Sequence, residues 1–427
     1  MRRLLLILAL VASIVRVASA EPSPLGVALK DIEVAEHWIY DDLPKAVAEA
    51  KASNKPLMIV LRCVPCPPGR TLDEQVMRPT GDLARIEKQF VCVRVIQTKG
   101  LNLDVFQYDF DMSWNAMFMN ADMTIYGRYG TRYSSGQGSD SNLSVAAFTK
   151  AAERALALHQ NYPANKERLA GKTGKPVHWK TPEDTPGLTD RKGVETDRRN
   201  CIHCHMVKEF ALRAKWQESG LVADDLYLFP APVQIGLTLD RDDGLLVASV
   251  TPDSPAASAG VKAGDQLVLA GGQLLVSTAD LTWVLHVAPH ETTLPVTLLR
   301  QGQTVEARIV LSGDWKKSDI AWRASSWYSL RQGLKVDPLD AKARESRNIS
   351  GAGGALEVKG LFGRGASHLQ THGLKKGDVI VEVDGRPAPA TEAEFLVTLR
   401  TRHGVNDSVK FGVLREGKTV QLSIPMW

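Results

Sequence analysis

At 427 residues the chain is too long for one ordinary hydrophobic core, and about three domains are expected. A hydrophobic content of 44% with 23% charged residues is that of globular protein. The net charge of +4 is spread along the chain, which leaves no basic footprint for nucleic acid.

The first twenty residues read as a secretory signal. Arg2 and Arg3 precede an apolar run from Leu4 to Val15, and Ala18-Ser19-Ala20 offers a small-residue cleavage site before Glu21. The run is too short to span a bilayer, and no later stretch approaches the length of a membrane helix. The expectation is a soluble mature protein outside the cytoplasm, periplasmic or secreted, with no integral membrane segment. Disulfides persist in such a compartment.

The segment from Trp38 to Lys55 has a helical pattern with Leu43, Val47 and Ala50 on one face, closed by Asn54-Lys55-Pro56. Leu57-Met58-Ile59-Val60-Leu61 is a continuous apolar run, the mark of a strand buried on both faces. It delivers Cys63-Val64-Pro65-Cys66 to its C-terminal end. Pro67-Pro68-Gly69 should hold the chain out of helix, and Thr71-Leu72-Asp73-Glu74 has the form of a capping box that would start one. Phe90 to Val95 reads as a second central strand containing Cys92, a buried apolar thiol. Ala116 to Met119 and Thr124 to Tyr129 form a hairpin, and Val145 to Leu158 a closing amphipathic helix.

This order resembles the thioredoxin-like family over residues 30–160. The resemblance implies Cys63 as the attacking thiol and Cys66 as the resolving one. Ser113-Trp114-Asn115 stands where thioredoxins carry a cis-proline. From the residues alone a redox pair, an inert structural disulfide and a metal site all remain open for Cys63 and Cys66.

Residues 161–228 begin as a polar connecting segment rich in Lys, Pro, Gly and Thr, then reach Cys201-Ile202-His203-Cys204-His205 and a short helix from Met206 to Glu218. Two thiols three residues apart, followed at once by an imidazole, is the arrangement that attaches c-type haem, with His205 as proximal ligand. No Met follows Met206 until Met426, so the sixth iron position would be open, taken by a His such as His178, or supplied by a neighbouring domain. Zinc held by Cys201 and Cys204 with His203 or His205 is the alternative cofactor, and a second exchangeable disulfide the alternative chemistry.

Two β-rich segments follow, at 229–312 and 328–427. Pro232 to Leu239 holds an apolar-Gly-apolar loop, and Gly264-Asp265 a tight turn before a strand. The pattern recurs about a hundred residues on, at Gln332-Gly333-Leu334-Lys335-Val336 and Gly377-Asp378. Both segments are similar to PDZ domains of bacterial periplasmic proteins. That similarity implies binding of client polypeptides or their C-termini, by strand addition beside Ile235, Gly236 and Leu237 in one domain and Gly333, Leu334 and Val336 in the other. Trp315, Trp322 and Trp327 are expected to cluster between the two segments, packing an interdomain helix. No Gly-x-Ser-Gly-Gly nucleophile run occurs, so a serine protease is rejected.

The expected fold class is multidomain: a thioredoxin-like α/β sandwich, a CxxCH linker helix and two PDZ-like domains. The whole chain resembles a bacterial thioredoxin-like/PDZ protein family, some of whose members are selenoproteins. An extracytoplasmic thiol-redox or electron-transfer protein with PDZ-bound clients and an unidentified redox partner is one expectation. A non-catalytic PDZ scaffold with a degenerate thioredoxin-like domain is the other.

Overall fold

A computed structural model describes residues 21–31, 33–132, 142–191, 201–351 and 353–427. The signal-like segment, Met1 to Ala20, lies outside them. After a short helix α1 (Pro24–Leu29), the first domain alternates β1 (Trp38–Tyr40), α2 (Leu43–Ser53), β2 (Leu57–Arg62), α3 (Arg70–Met77), α4 (Gly81–Glu87) and β3 (Val91–Val95). It ends in the hairpin β4 (Trp114–Met119) and β5 (Ile125–Tyr129) and in helix α5 (Val145–Gln160). The sheet order is β1-β3-β2-β4-β5, with β1, β3 and β2 parallel and β4 and β5 antiparallel to their neighbours.

The start of the expected helix at Trp38 is corrected. Trp38-Ile39-Tyr40 pairs with Cys92 to Arg94 as an edge strand, and α2 begins only after Asp42, whose side chain caps the Lys45 N–H. Asn54 ends that helix in the left-handed conformation, as the Asn-Lys-Pro signal implies.

Residues 161–191 are not a free tether. After α6 (Lys166–Leu169) the chain lies against the first domain: Leu188 and Lys172 are fully buried, and the Leu103 N–H donates to the Lys180 carbonyl at 2.9 Å. The strap, α7 (Cys204–Ser219) and α8 (Ala223–Leu226) lead into the first PDZ domain. That domain comprises β6 (Leu237–Leu239), β7 (Val247–Val250), α9 (Pro255–Ser258), β8 (Gln266–Ala270), β9 (Gln273–Leu274), α10 (Thr278–Val287), β10 (Thr292–Arg300) and β11 (Gln303–Leu311).

After α11 (Ala324–Ser329) the pattern returns with β12 (Leu334–Pro338), α12 (Ala341–Glu345), β13 (Leu356–Leu361), α13 (Gly363–Thr371), β14 (Val379–Val383), β15 (Arg386–Pro387), α14 (Glu392–Arg402), β16 (Ser408–Arg415) and β17 (Lys418–Pro425). The two PDZ domains repeat one buried pair. Asp265 caps the Lys262 N–H and takes two hydrogen bonds from Arg300, while Asp378 does the same with Lys375 and Arg415. No helix among the described residues is long and apolar enough to cross a membrane.

The domains share interior. Every residue from Ala279 to Leu285 of α10 is buried, because the helix packs on the first PDZ core and on β5 at once. Asp280 accepts from the Arg128 backbone N–H at 3.1 Å and from Lys172 Nζ at 2.7 Å. Gly127 is required there, since a Cβ would stand 2.0 Å from Val276 Cγ2. The three tryptophans do not form one cluster. Trp315 belongs to the first PDZ core, Trp322 lies under Arg132 and Arg323, and Trp327 packs on Phe362 beside Arg331.

Candidate functional site

All six residues of β2 are buried, and the strand ends directly at Cys63. Cys63 and Cys66 are joined as a disulfide, with Cα atoms 5.5 Å apart. The Cys63 N–H donates to the Ser113 carbonyl at 2.9 Å, so the residue in the cis-proline position anchors the motif through its backbone. The two prolines postpone the next helix to Arg70. Thr71 lies inside its first turn, so the expected capping box is not formed; Gly69 is the N-cap, with φ 78°. A Cβ on Gly69 would meet Trp114 Cβ at 2.7 Å.

A buried arginine shapes this loop. Arg62, at the end of β2, donates to the carbonyls of Cys66 (2.8 Å), Pro68 (2.8 Å) and Ser113 (3.1 Å). Its Nε lies 3.3 Å from Asp73, which also pairs with Arg94 and accepts from Trp114 Nε1 at 2.9 Å. Arg94 in turn makes two bonds to Asp31. Buried charges persist only when paired and hydrogen-bonded in this way.

The second motif is folded onto the first. Thr98 donates through its N–H and its hydroxyl to the Ile202 carbonyl, at 3.1 and 2.8 Å, and Arg191 donates to the Cys201 carbonyl at 2.9 Å. His203 forms the N-cap position of α7, and its Nδ1 lies 3.4 Å from Cys63 Sγ. Its ring stacks on His205, and His205 stacks on the exposed Tyr328 of α11. Burial, followed by the charges of His205 and Arg191, pushes the His203 pKa down to about 4, so the imidazole is neutral at ordinary pH. Cys204 Sγ accepts from the Tyr108 hydroxyl at 3.5 Å, and burial pushes both groups up.

These residues do not fit a haem. Cys201 packs into the core on the face of the sheet that carries Met58, Val60 and Phe118. Cys204 packs into the core on the opposite face, with Leu57, Ile59 and Met117. Thioether attachment needs both sulfurs at one porphyrin edge with the imidazole between them and the iron. Zinc fares no better at this position: among the described residues, neither His203 nor His205 is gathered with Cys201 and Cys204 into a set of three donors. His205 Nδ1 has instead only Glu209, at 3.6 Å, and no hydrogen bond.

Exposure orders the first pair opposite to the thioredoxin expectation. Cys63 is 2% exposed under His203, whereas Cys66 is half-buried at the edge of the loop.

The PDZ loops differ in access. Ile235 and Leu237 are core residues, Gly236 adopts φ 86°, and its N–H is spent on the turn that precedes it. Beside β6 only a cavity of about 190 Å³ remains, walled by Leu237, Thr238 and Thr278 and also by Tyr129 and Gly130 of the first domain. In the second PDZ domain Leu334 and Val336 are buried, Gly333 has φ 81°, and β12 ends its sheet, paired among the described residues with β13 alone. The Leu334 N–H is also used locally, by the Arg331 carbonyl.

Sequence reasoning missed Arg62, Arg94 and His203. A signal existed for the two arginines, since Arg94 interrupts and Arg62 ends an apolar strand that has no solvent face. His203 stood only as an alternative zinc ligand, and nothing in the spacing pointed it at Cys63.

A thioredoxin-like family model matches residues 38–119, and a PDZ domain model matches residues 233–311 and 367–426. The DegP-like periplasmic serine endoprotease of Pseudomonas savastanoi pv. phaseolicola is 27% identical over 192 residues, covering 44% of this chain and 38% of that protein. Its counterpart from Pseudomonas putida is 30% identical over 187 residues, covering 42% and 37%. The chain thus spans less than two fifths of the length of these relatives. A crystal structure of the serine endoprotease from Yersinia pestis aligns at 33% identity over 18% of this chain and 28% of that one, with a TM-score of 0.17. By family match and by strand order, the chain joins a thioredoxin-like domain to PDZ domains.

Proposed function

We propose that the chain is an extracytoplasmic thiol–disulfide redox protein whose centre is composite, built from the Cys63–Cys66 disulfide and the His203 shelf folded over it. The observation that carries this reading is the 3.4 Å approach of His203 Nδ1 to Cys63 Sγ. A client thiolate attacks Cys66 Sγ, the more accessible sulfur, and the disulfide opens with Cys63 as leaving group. Cys63 takes up a proton, and its S–H then donates to the neutral Nδ1. A second client thiolate displaces Cys66, so the client leaves as a disulfide and the protein as a dithiol, two electrons and two protons richer.

The second PDZ domain is the client-binding module in this reading, because β12 has an open edge. The first serves as a structural wedge, its groove narrowed by the thioredoxin-like domain. The signal-like start and the periplasmic naming of the relatives support the compartment.

A scaffold without redox activity is the second reading, favoured by the burial of Cys63. Oxidation of a fluorescent dithiol peptide separates the two. Stoichiometric turnover that is lost in both Cys63→Ser and Cys66→Ser supports the redox protein. Absence of exchange in the wild type leaves the scaffold.

A further inference from the structure

The parallel strands present Cys63 at their C-terminal ends. At their N-terminal ends, on the opposite margin of the sheet, three donors of different chemistry converge. His37 stands just before β1, Glu87 closes α4, and Cys92 is the second residue of β3. One ligand atom from each lies within 4.8 Å of the other two. His37 Nε2 is 2.7 Å from Glu87 Oε2. The Cys92 thiol is 1% exposed and points to the Glu87 carbonyl at 3.6 Å and to Met58 Sδ at 4.0 Å.

Glu87 makes this more than a surface ion pair. Its side chain is fully buried, yet Oε1 has no hydrogen-bond partner. The Trp38 indole N–H is also buried with no bond closed, although it stands near enough to favour the charged carboxylate. An orphaned carboxylate oxygen inside a core costs several kcal/mol unless something compensates its charge. Among the described residues its ion-pair partner is His37, 41% exposed and cationic only when protonated.

We propose that His37, Glu87 and Cys92 form a binding site for a zinc-class divalent cation, with three protein donors and a fourth position open to solvent. Imidazole, carboxylate and thiolate together are a donor set for a borderline-soft ion, and three protein ligands plus one open position is an established zinc arrangement. Bond lengths of about 2.0–2.3 Å place tetrahedral donors roughly 3.3–3.8 Å apart, so the 2.7 Å His37–Glu87 contact must open slightly and any wider separation must close by up to about 1 Å. His37 lies on the surface before an edge strand, so it can shift more readily than Glu87 and Cys92, which lie in the core. A depression lined by Glu36, His37, Glu49 and Glu87 gives the ion an entry path. Binding replaces the Cys92 proton with the metal and gives the orphaned carboxylate its counter-charge.

The test titrates the oxidised full-length mature chain with Co²⁺ and then displaces it with Zn²⁺, reading the thiolate-to-cobalt charge-transfer band in the near ultraviolet. One equivalent with this band is expected in the wild type and in Cys201→Ser/Cys204→Ser. The band should vanish in Cys92→Ser. In His37→Ala the affinity should fall at least about tenfold, the loss of one of three donors. His37→Ala removes the partner of the buried Glu87, so its far-ultraviolet circular dichroism is compared with wild type first, and His37→Gln, which keeps a polar side chain at the surface, serves as the second variant. Zn²⁺ should also raise the melting temperature of the wild type and not of His37→Ala. Equal affinity in His37→Ala and wild type, or a band that follows Cys201 and Cys204, overturns the site.

Discussion

His203 Nδ1 lies 3.4 Å from Cys63 Sγ, although 140 residues separate them in the chain. The contact fixes which sulfur of the first motif is covered. In reduced protein, an alkylating reagent should therefore modify Cys66 first, with Cys63, Cys92, Cys201 and Cys204 following only at the rate of local opening. Timed labelling with peptide mass analysis checks this order, and faster labelling of Cys63 than of Cys66 would contradict it.

His203 also sets a pH dependence. Its pKa is held at about 4, below the ordinary 6.5, so between these values the unfolded state binds the proton that the native state refuses. Stability then rises with pH across this window and is lost as pH falls from 6.5 toward 4, by about 3 kcal/mol in all. His203→Gln should flatten the slope in denaturant unfolding measured at a series of pH values. His286, pushed to about 3 mainly by burial, leaves a residual slope of the same sign.

Arg62 ties the loop after Cys63 to three carbonyls and an aspartate. Replacing it with Met takes the donor from the carbonyls of Cys66, Pro68 and Ser113 and frees the Pro-Pro-Gly turn, while Asp73 keeps Arg94 and Trp114. The expected loss is about 2–4 kcal/mol, from buried carbonyls left without their donor. Proteolytic cleavage should appear between residues 63 and 70. Unfolding curves and fragment mapping check both, and unchanged protection of the loop would show that the prolines alone hold it.

Asp280 joins the thioredoxin-like domain, the strap and the first PDZ domain at one carboxylate. Asp280→Ala leaves Lys172 buried without a counter-charge and is expected to cost about 3–5 kcal/mol. Because the lost bonds cross the interface, the two domains, expected to melt in one calorimetric transition in the wild type, should melt in two in the variant. A lowered but still single transition would show that apolar contacts alone keep them coupled.

The sequence announced the central strands plainly, because a run such as Leu57 to Leu61 has no polar face to mislead. It hid β1, since three edge residues beside a helix were absorbed into the helical period. The strap looked like a linker because its composition is polar, but a polar residue such as Lys172 is buried once Asp280 accepts from it. Composition cannot reveal a partner 108 residues away. Arg62 and Arg94 were legible as anomalies, while their partners Asp73 and Asp31 were not, for the same reason. The Cys-x-x-Cys-His spacing was read as one site. The fold turns its two thiols to opposite faces of the sheet and leaves His203, a residue the spacing ignores, against Cys63.

Helix α7 has its two ends set in different bodies. Its first residues rest against the first motif, while Trp216, three turns on, donates to the His403 carbonyl of the second PDZ domain at 2.8 Å and lies under Arg400. The helix runs 16 residues without glycine or proline, about 24 Å of stiff rod. Any rocking of the second PDZ domain against the sheet must therefore break the Trp216 anchorage or be delivered, nearly undiminished, to the imidazole standing over Cys63.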